Sequence, residues 1–222
     1  MIGRLLSRLL LALPLLALAA LVYIDRTAPL DPLAPPTILT PIQIRLMALD
    51  PGRCTAALRR AGLDFTPASR PRRNGCGFDD GVRLSPAAGL SRSSLVLRCS
   101  AAVALVMWER HVVEPAARRH FAENLRGIRS LGTYACRNVN GRGTGRRSQH
   151  ASANAIDIAG FTLGTVDVSV ERDWNAANPK GRFLKEVRQG ACGLFGTVLS
   201  PDYNALHRNH LHLDMAPWRV CR

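Results

Sequence analysis

Four of the six histidines in the sequence fall in two short segments that also carry aspartates. The first segment, SQHASANAID over residues 148–157, contains His150 and Asp157. The second, HRNHLHLD over residues 207–214, contains the other three histidines. Imidazole nitrogens and carboxylate oxygens are common zinc ligands in proteins. Metal binding is therefore the chemistry that these two segments predict.

The second segment alternates polar and apolar residues in the manner of a β-strand. Residues two apart on a strand project to the same face, so His210, His212 and Asp214 are expected to point together, away from the leucines between them. An ionisable group on a half-buried strand needs a partner, because burial without one is costly. A metal ion would supply that partner. The other interpretation is a set of separate surface histidines beside a solvated aspartate.

A zinc site can be assembled from both segments. His150, Asp157 and one histidine of the second segment together provide two neutral imidazoles and one carboxylate. Three such ligands and one open position are the usual arrangement in hydrolytic zinc enzymes. The ion would keep a net positive charge, so it would lower the pKa of a bound water and polarise a carbonyl oxygen.

The elements that must position these residues are mixed helices and strands. Apolar periodicity predicts helices over residues 55–61, 100–128 and 179–194, the second of them kinked or divided at Pro115. Strands are predicted over residues 130–137, 155–161, 166–170 and 210–215. Residues 69–74 are predicted to be a basic connection, and residues 138–147 a loop rich in glycine and arginine. Such a pattern indicates an α+β domain.

The N-terminus has the layout of a secretion signal. Arg4 and Arg8 precede an uncharged apolar run over residues 9–24. The run is shorter than the roughly 20 residues of a typical membrane-spanning helix. We favour an uncleaved anchor in the inner membrane with the bulk of the chain outside, while the small residues at 17–19 also suit cleavage. The predicted divisions are a signal anchor or signal peptide over residues 1–26, a proline-rich linker over 27–41 and one folded domain over 42–222.

The cysteine content indicates the compartment in which the protein is found, and the net charge indicates the kind of partner that it binds. All six cysteines follow the apolar run and none forms a CxxC pair, which favours disulfides in the periplasm and leaves their pairing open. The formal net charge of +14 favours an anionic partner, with arginine supplying all but two of the 30 Lys+Arg cations. No nucleic-acid-binding motif accompanies the arginines, so we expect peptidoglycan or another anionic cell-wall polymer rather than nucleic acid.

Both histidine segments match a known signature. The SxH…D pattern of residues 148–157 and the HxH pattern of residues 210–212 resemble the zinc peptidases of the hedgehog/DD-peptidase fold, which include D-Ala-D-Ala carboxypeptidases and penicillin-insensitive murein endopeptidases. A longer set of segments resembles the bacterial extensin-like protein C-terminal domain family: residues 76–77, 82–84, 115–119, 134–137, 154–161 and 207–214. The chain has no extensin-type proline repeat.

The resemblance implies a fold, an activity and roles for residues. The implied fold is a hedgehog/DD-peptidase-like antiparallel sheet with flanking helices, preceded here by the N-terminal hydrophobic helix. The implied activity is zinc-dependent hydrolysis of peptidoglycan peptide bonds, by an endopeptidase or a carboxypeptidase. His150, Asp157 and His212 would bind Zn²⁺, His210 would act as a catalytic or orienting histidine, and Arg137 would steady a substrate carbonyl or carboxylate.

A second hypothesis keeps the fold without catalysis. A basic, membrane-tethered module that binds the cell wall would account for the net charge of +14. It would also account for the absence of an ExxWH-type glutamate before the last predicted ligand, an absence that leaves the general base open.

The sequence pattern also includes four residues near the predicted ligands. Ala153 stands where the related peptidases usually have glycine, and an alanine with positive φ there would be strained. Ser148 is expected to form a hydrogen bond within its loop or to a group behind the ligands. His207 is expected either to bind substrate or to hold the end of the strand. Asp214 is expected either to orient His212 or to form a surface salt bridge.

Overall fold

The computed structural model describes residues 29–85 and 95–222, together with Ala19, Tyr23 and Thr27. Among these residues, no helix has both the length and the apolar character needed to cross a membrane.

The chain divides into two compact units, residues 1–31 and residues 32–222. The predicted N-terminal apolar helix falls in the first unit and lies outside the described residues, apart from Ala19 and Tyr23. The second unit holds all the elements named below.

Pairs of helices are followed by groups of three strands along the second unit. The helices are α1 (Thr40–Leu46), α2 (Pro51–Arg60), α3 (Cys99–Trp108), α4 (Glu114–Phe121), α5 (Val170–Asp173) and α6 (Pro179–Ala191). The strands are β1 (Phe65–Arg73), β2 (Cys76–Leu84), β3 (Leu95–Arg98), β4 (Leu125–Gly132), β5 (Ala155–Leu163), β6 (Val166–Ser169), β7 (Thr197–Leu199), β8 (Leu211–Asp214) and β9 (Val220–Cys221).

The strands of the described chain form a smaller and a larger sheet. The smaller has the order β1-β2-β3 and is antiparallel. The larger has the order β4-β5-β8-β7-β9, with β6 paired to β5. Its neighbours are antiparallel except β7 and β9, which run parallel. The predicted α+β class is confirmed, whereas the expectation of a wholly antiparallel sheet is corrected by the β7–β9 pair.

Helix α3 lies in the centre of the core. All ten of its residues are buried, as expected for a helix that is apolar on every side. Its Trp108 packs against Phe161 of β5, with ring centroids 5.9 Å apart. The Trp108 indole N–H donates to the carbonyl oxygen of Val187 on α6 at 2.8 Å. These two contacts join α3 to the larger sheet and to α6.

The helix predicted over residues 100–128 is interrupted and ends earlier. A π-helical turn, Glu109–Val113, separates α3 from α4, and Pro115 occupies the first turn of α4. The backbone is helical across this junction, so Pro115, which has no N–H, interrupts the hydrogen bonds of a continuous helical segment. The prediction was wrong beyond Phe121, where residues with helical spacing form β4. Pairing with β5 overrides that local preference.

Three further boundaries differ from the sequence predictions. The strand predicted over residues 130–137 runs instead over Leu125–Gly132. Residues 69–73 belong to β1 and are not a simple connection. This strand tolerates Pro67 and Pro71 because it lies at the edge of its sheet. The last strand of the described chain is β9, beyond the one predicted at residues 210–215.

All six cysteines form disulfides, as expected, and the structure resolves their pairing. The bonds are Cys54–Cys99, Cys76–Cys136 and Cys192–Cys221. The second bond holds β2 against the segment that precedes Arg137. By the usual scale each disulfide stabilises the fold by about 2–4 kcal/mol.

Part of the predicted proline-rich linker packs against the domain. Pro32 is buried, and its carbonyl oxygen lies 2.9 Å from Nε2 of His111 in the π-helical turn. Helix α1 begins at Thr40, just inside the end of the predicted linker.

Candidate metal centre

The register of two central strands brings the predicted aspartate and histidine ligands together. Asp157 on β5 lies directly opposite His212 on β8 in the antiparallel ladder. Residues opposite one another in such a ladder project to the same face. Their apolar neighbours Ile156, Leu211 and Leu213 are at most 1% exposed and lie in the core. The alternation predicted for residues 210–214 thus places the polar residues on the face that carries the candidate site.

A short turn before β5 supplies the third predicted ligand. The 3₁₀ turn Gln149–Ser152 carries His150, and the Ser148 side chain accepts a hydrogen bond from the His150 backbone N–H at 3.3 Å. Ser148 therefore forms a hydrogen bond within its loop, one of the two roles expected for it. Ala153 ends the turn with φ +53°, which is the left-handed conformation. This conformation is unfavourable for alanine, but it returns the chain into β5.

Three donor atoms converge on one point. Nε2 of His150 lies 3.1 Å from Nδ1 of His212 and 3.2 Å from Oδ1 of Asp157. Nδ1 of His212 lies 2.9 Å from the same carboxylate oxygen. Adjacent ligands of a tetrahedral zinc ion lie about 3.3 Å apart, given metal–ligand bonds of about 2.0–2.1 Å. The spacing of the three atoms is close to that value.

Groups behind the two histidines determine which nitrogen faces the point of convergence. Nδ1 of His150 donates to the carbonyl oxygen of Thr133 at 2.9 Å, so Nε2 of a neutral His150 carries a lone pair. Nε2 of His212 donates to Oδ2 of the buried Asp214 at 3.0 Å, which leaves the lone pair on Nδ1. Of the two roles expected for Asp214, the structure shows the orienting one. With both rings neutral, two lone pairs and a carboxylate oxygen face one another, and a cation is needed between them.

The electrostatics of the bare site show the same need for positive charge. Burial opposes ionisation of Asp157, but the contacts with His150 and His212 outweigh it and hold the pKa of this carboxyl well below its usual range. Burial also opposes charging of His212, but hydrogen bonds to Asp157 and Asp214 raise the pKa of His212 to about 9. A proton on His212 thus supplies the positive charge between the facing donors.

The remaining two histidines of the second segment stand beside the three donors. Nε2 of His210 lies 3.4 Å from Oδ1 of Asp157, and its Nδ1 donates to the side-chain oxygen of Asn209 at 2.8 Å. The His207 ring centroid is 5.2 Å from that of His210, and its Nδ1 donates to Oδ1 of Asn204 at 2.7 Å. Burial, together with the neighbouring positive charges, lowers the pKa of His207 to about 4. Burial likewise lowers the pKa of His210.

Arg137 stands at the edge of the group. Its Nη2 is 3.8 Å from Oδ2 of Asp157, and its side chain is 45% exposed. This is a loose contact, so the guanidinium keeps donors for another acceptor. Arg137 follows Cys136, so the disulfide to β2 holds its backbone in place.

The donor group opens into a cleft of about 440 Å³. The exposed apolar side chains of Tyr203, Leu206 and Trp218 contribute to its lining, as do the basic side chains of Arg146 and Arg147. A cleft with convergent polar groups is the usual form of a small-ligand site.

Sequence reasoning did not identify several residues of this neighbourhood. Thr133 acts through its backbone carbonyl, which no side-chain pattern can indicate. Asn204 and Asn209 hold histidine rings through their side-chain amides. Their only signal in the sequence is that they lie three residues and one residue before the histidines that they contact. Trp218 reaches the cleft only because of the tertiary fold.

Comparison with known proteins identifies the family. Residues 52–222 match the family described as Extensin-like protein C-terminus. The chain matches no curated protein and no solved structure. The match covers all six cysteines, the turn with His150 and strands β5 and β8, and the chain therefore belongs to the extensin-like protein C-terminal family.

Proposed function

We propose that this protein is an exported zinc-dependent hydrolase that cleaves peptide bonds of peptidoglycan. The single observation that carries the proposal is the convergence of Nε2 of His150, Nδ1 of His212 and Oδ1 of Asp157 within 3.2 Å of one another. The resemblance of both histidine segments to DD-peptidase-type zinc peptidases supports the reaction class and the finer fold assignment.

The donor set fits zinc. Two imidazoles and one carboxylate are a common zinc ligand set, and Thr133 and Asp214 hold the two rings with lone pairs facing inward. His150, Asp157 and His212 would hold the ion. When bound, zinc supplies Lewis-acid catalysis, polarising a carbonyl oxygen and making water more acidic.

Residues of the cleft would carry out the remaining steps. A water attacks the carbonyl carbon of the scissile peptide bond, and Nε2 of His210 accepts its proton. Asn209 keeps that nitrogen free by accepting the Nδ1 hydrogen. The proton then passes to the leaving nitrogen as the C–N bond breaks, giving a carboxylate and an amine. Arg137 binds the substrate carbonyl or carboxylate oxygen with the donors that Asp157 leaves unused.

The location we propose is the periplasm, at the inner membrane. The apolar run over residues 9–24 serves as the tether, with the chain beyond it outside the membrane. Three disulfides in the described chain favour an oxidising compartment.

Incubation of the purified protein with muropeptides and with intact sacculi tests the proposal. We expect new termini by mass spectrometry that disappear with a chelator and return with zinc. The His150→Ala variant should be inactive, whereas His120→Ala, which changes a histidine outside the cleft, should keep its activity. Absence of cleavage across a panel of sacculi would contradict the proposal.

The alternative function is a basic wall-binding module without catalysis. It predicts salt-sensitive pelleting with sacculi that survives chelation and the His150→Ala change. Metal-dependent turnover would exclude this alternative.

A further inference from the structure

Three arginines lie on the loop that borders the cleft or next to the hairpin turn that is hydrogen-bonded to it. Some arginines elsewhere in the domain pair with carboxylates, as in Arg72–Asp79, Arg98–Asp80 and Arg172–Asp167. By contrast, no carboxylate of the described residues lies within ion-pair distance of Arg73, Arg142 or Arg146, and all three are exposed. We call these three residues the arginine strip.

Hydrogen bonds connect the backbone segments that carry the arginine strip. Arg147 donates from Nε to the carbonyl oxygen of Asn74, the residue after Arg73, at 2.9 Å. It donates from Nη1 to Oδ1 of Asn138 at 3.0 Å. The Asn138 amide in turn donates to the carbonyl oxygen of Arg142 at 2.9 Å. The turn between β1 and β2 is therefore fixed to the loop that borders the cleft.

A disulfide reinforces the same junction. Arg73 pairs with Cys76 where β1 turns into β2, and Cys76 is bonded to Cys136. Cys136 immediately precedes Arg137 at the edge of the candidate metal centre. Covalent attachment thus holds the basic end of the hairpin next to the cleft.

Arg146 is held in place by an aromatic ring. Its guanidinium carbon lies 4.4 Å from the centroid of the Trp218 ring, which is 43% exposed and lines the cleft. Stacking on a ring restrains a guanidinium and leaves its N–H groups free at the edge. A planar fork of donors in this position matches a carboxylate.

We infer that the arginine strip binds an acidic peptide segment that extends from the cleft towards the turn between β1 and β2. Arg146 contacts a carboxylate near the cleft, and Arg142 and Arg73 contact carboxylates farther along. Exposed arginines without counter-charges also raise the local concentration of anions. The identification of the partner as a peptide rests on the proposed function, because the cleft is where that function places the scissile peptide bond.

Direct binding to the full-length protein tests this inference. A short oligoglutamate peptide is titrated into chelator-treated protein and followed by calorimetry, with oligoglutamine of equal length as the uncharged probe. We expect oligoglutamate alone to bind, with an affinity that falls as salt rises. The double variant Arg73→Gln/Arg146→Gln should bind it about tenfold more weakly, as expected for the loss of charge-assisted hydrogen bonds.

A matched variant distinguishes the effect of losing the arginine strip from the effect of lowering the overall charge. Arg126→Gln/Arg182→Gln removes the same charge from two exposed arginines outside the cleft and should bind like the wild type. Equal weakening in both double variants, no binding of oligoglutamate, or equally tight binding of polyphosphate would each overturn the inference. Since the measurement uses chelated protein, its outcome does not depend on whether zinc binds or peptides are cleaved.

Discussion

The segment that carries His150 and Asp157 can be compared with the long helical segment formed by α3, the π-helical turn and α4. Each region holds an acidic side chain away from solvent and an alanine in the left-handed conformation. In the site these residues are Asp157 and Ala153, and in the helical segment they are Glu109 and Ala122. Their surroundings nevertheless give the two acids opposite properties.

The acids differ in their partners. Asp157 has two histidines within 3.2 Å, and these contacts outweigh the effect of burial and lower its pKa. Oε2 of Glu109 is buried and has no hydrogen-bond partner among the described residues. Burial, helped by the charge of Glu114, raises the pKa of Glu109 to about 8. Burial alone therefore does not decide the charge of an acid, since the donors that the fold places around it can reverse the effect.

The largest expected effect comes from removing the charge of Asp157. Asp157→Asn leaves the two imidazoles without their anionic partner, so zinc affinity should fall about a hundredfold or more, given that even residues behind the ligands contribute 10–100-fold. Competition with a chromophoric chelator measures the affinity. Asp79→Asn, which changes an exposed aspartate paired with Arg72, is the control. Unchanged zinc affinity in Asp157→Asn would remove this carboxylate from the ligand set.

Replacing Glu109 by a neutral residue should have the opposite effect and stabilise the fold at neutral pH. Its pKa is about 8 in the folded protein against an ordinary 4.5, so the unfolded chain releases the proton first. Unfolding free energy should therefore fall as pH rises from about 4.5 to 8, by about 3 kcal/mol at pH 7. Glu109→Gln should remove this loss and be more stable than wild type at neutral pH, but not near pH 4.

Urea denaturation across this pH range provides the measurement. The matched control is Glu171→Gln, which changes an exposed glutamate on α5 that does not contribute to the pKa shift of Glu109. A wild type and a Glu109→Gln variant with parallel pH profiles would show that Glu109 is ionised in the folded state.

Asp214 tests how far the site depends on its orienting groups. Asp214→Asn keeps the size of the side chain but weakens its hold on Nε2 of His212. We expect zinc affinity to fall about 10-fold to 100-fold, less than for Asp157→Asn. Titration with the same chelator gives the ratio of the two effects. A larger loss for Asp214→Asn than for Asp157→Asn would reverse the roles of ligand and orienting residue.

The smallest effect is expected at the two left-handed alanines. Ala122 is exposed at the end of α4 with φ +55°, so Ala122→Gly should stabilise the protein by about 1 kcal/mol. Ala153 has a similar φ but is fully buried, and Ala153→Gly loses the packing of its methyl group, which offsets much of the gain. Thermal unfolding of both variants compares them. A greater gain at Ala153 would mean that its methyl group contributes nothing to packing.

Prediction from sequence succeeded where a local repeat carried the information. The two-residue period of residues 210–214 identified the polar face of β8. Prediction was wrong where contacts distant in sequence outweigh the local pattern. Leu125 and Ile128 have the three-residue spacing of a helix, yet they lie on β4 because that strand hydrogen-bonds to β5.

The sequence by itself determined the chemistry available to this protein: histidines and aspartates in two segments, six cysteines and an excess of arginine. Only the tertiary structure decided which of these meet. The register that sets Asp157 opposite His212, the pairing of the cysteines and the position of Trp218 beside Arg146 all join residues far apart in the chain. Such contacts depend on how strands pair and helices pack, and these are properties of the whole fold.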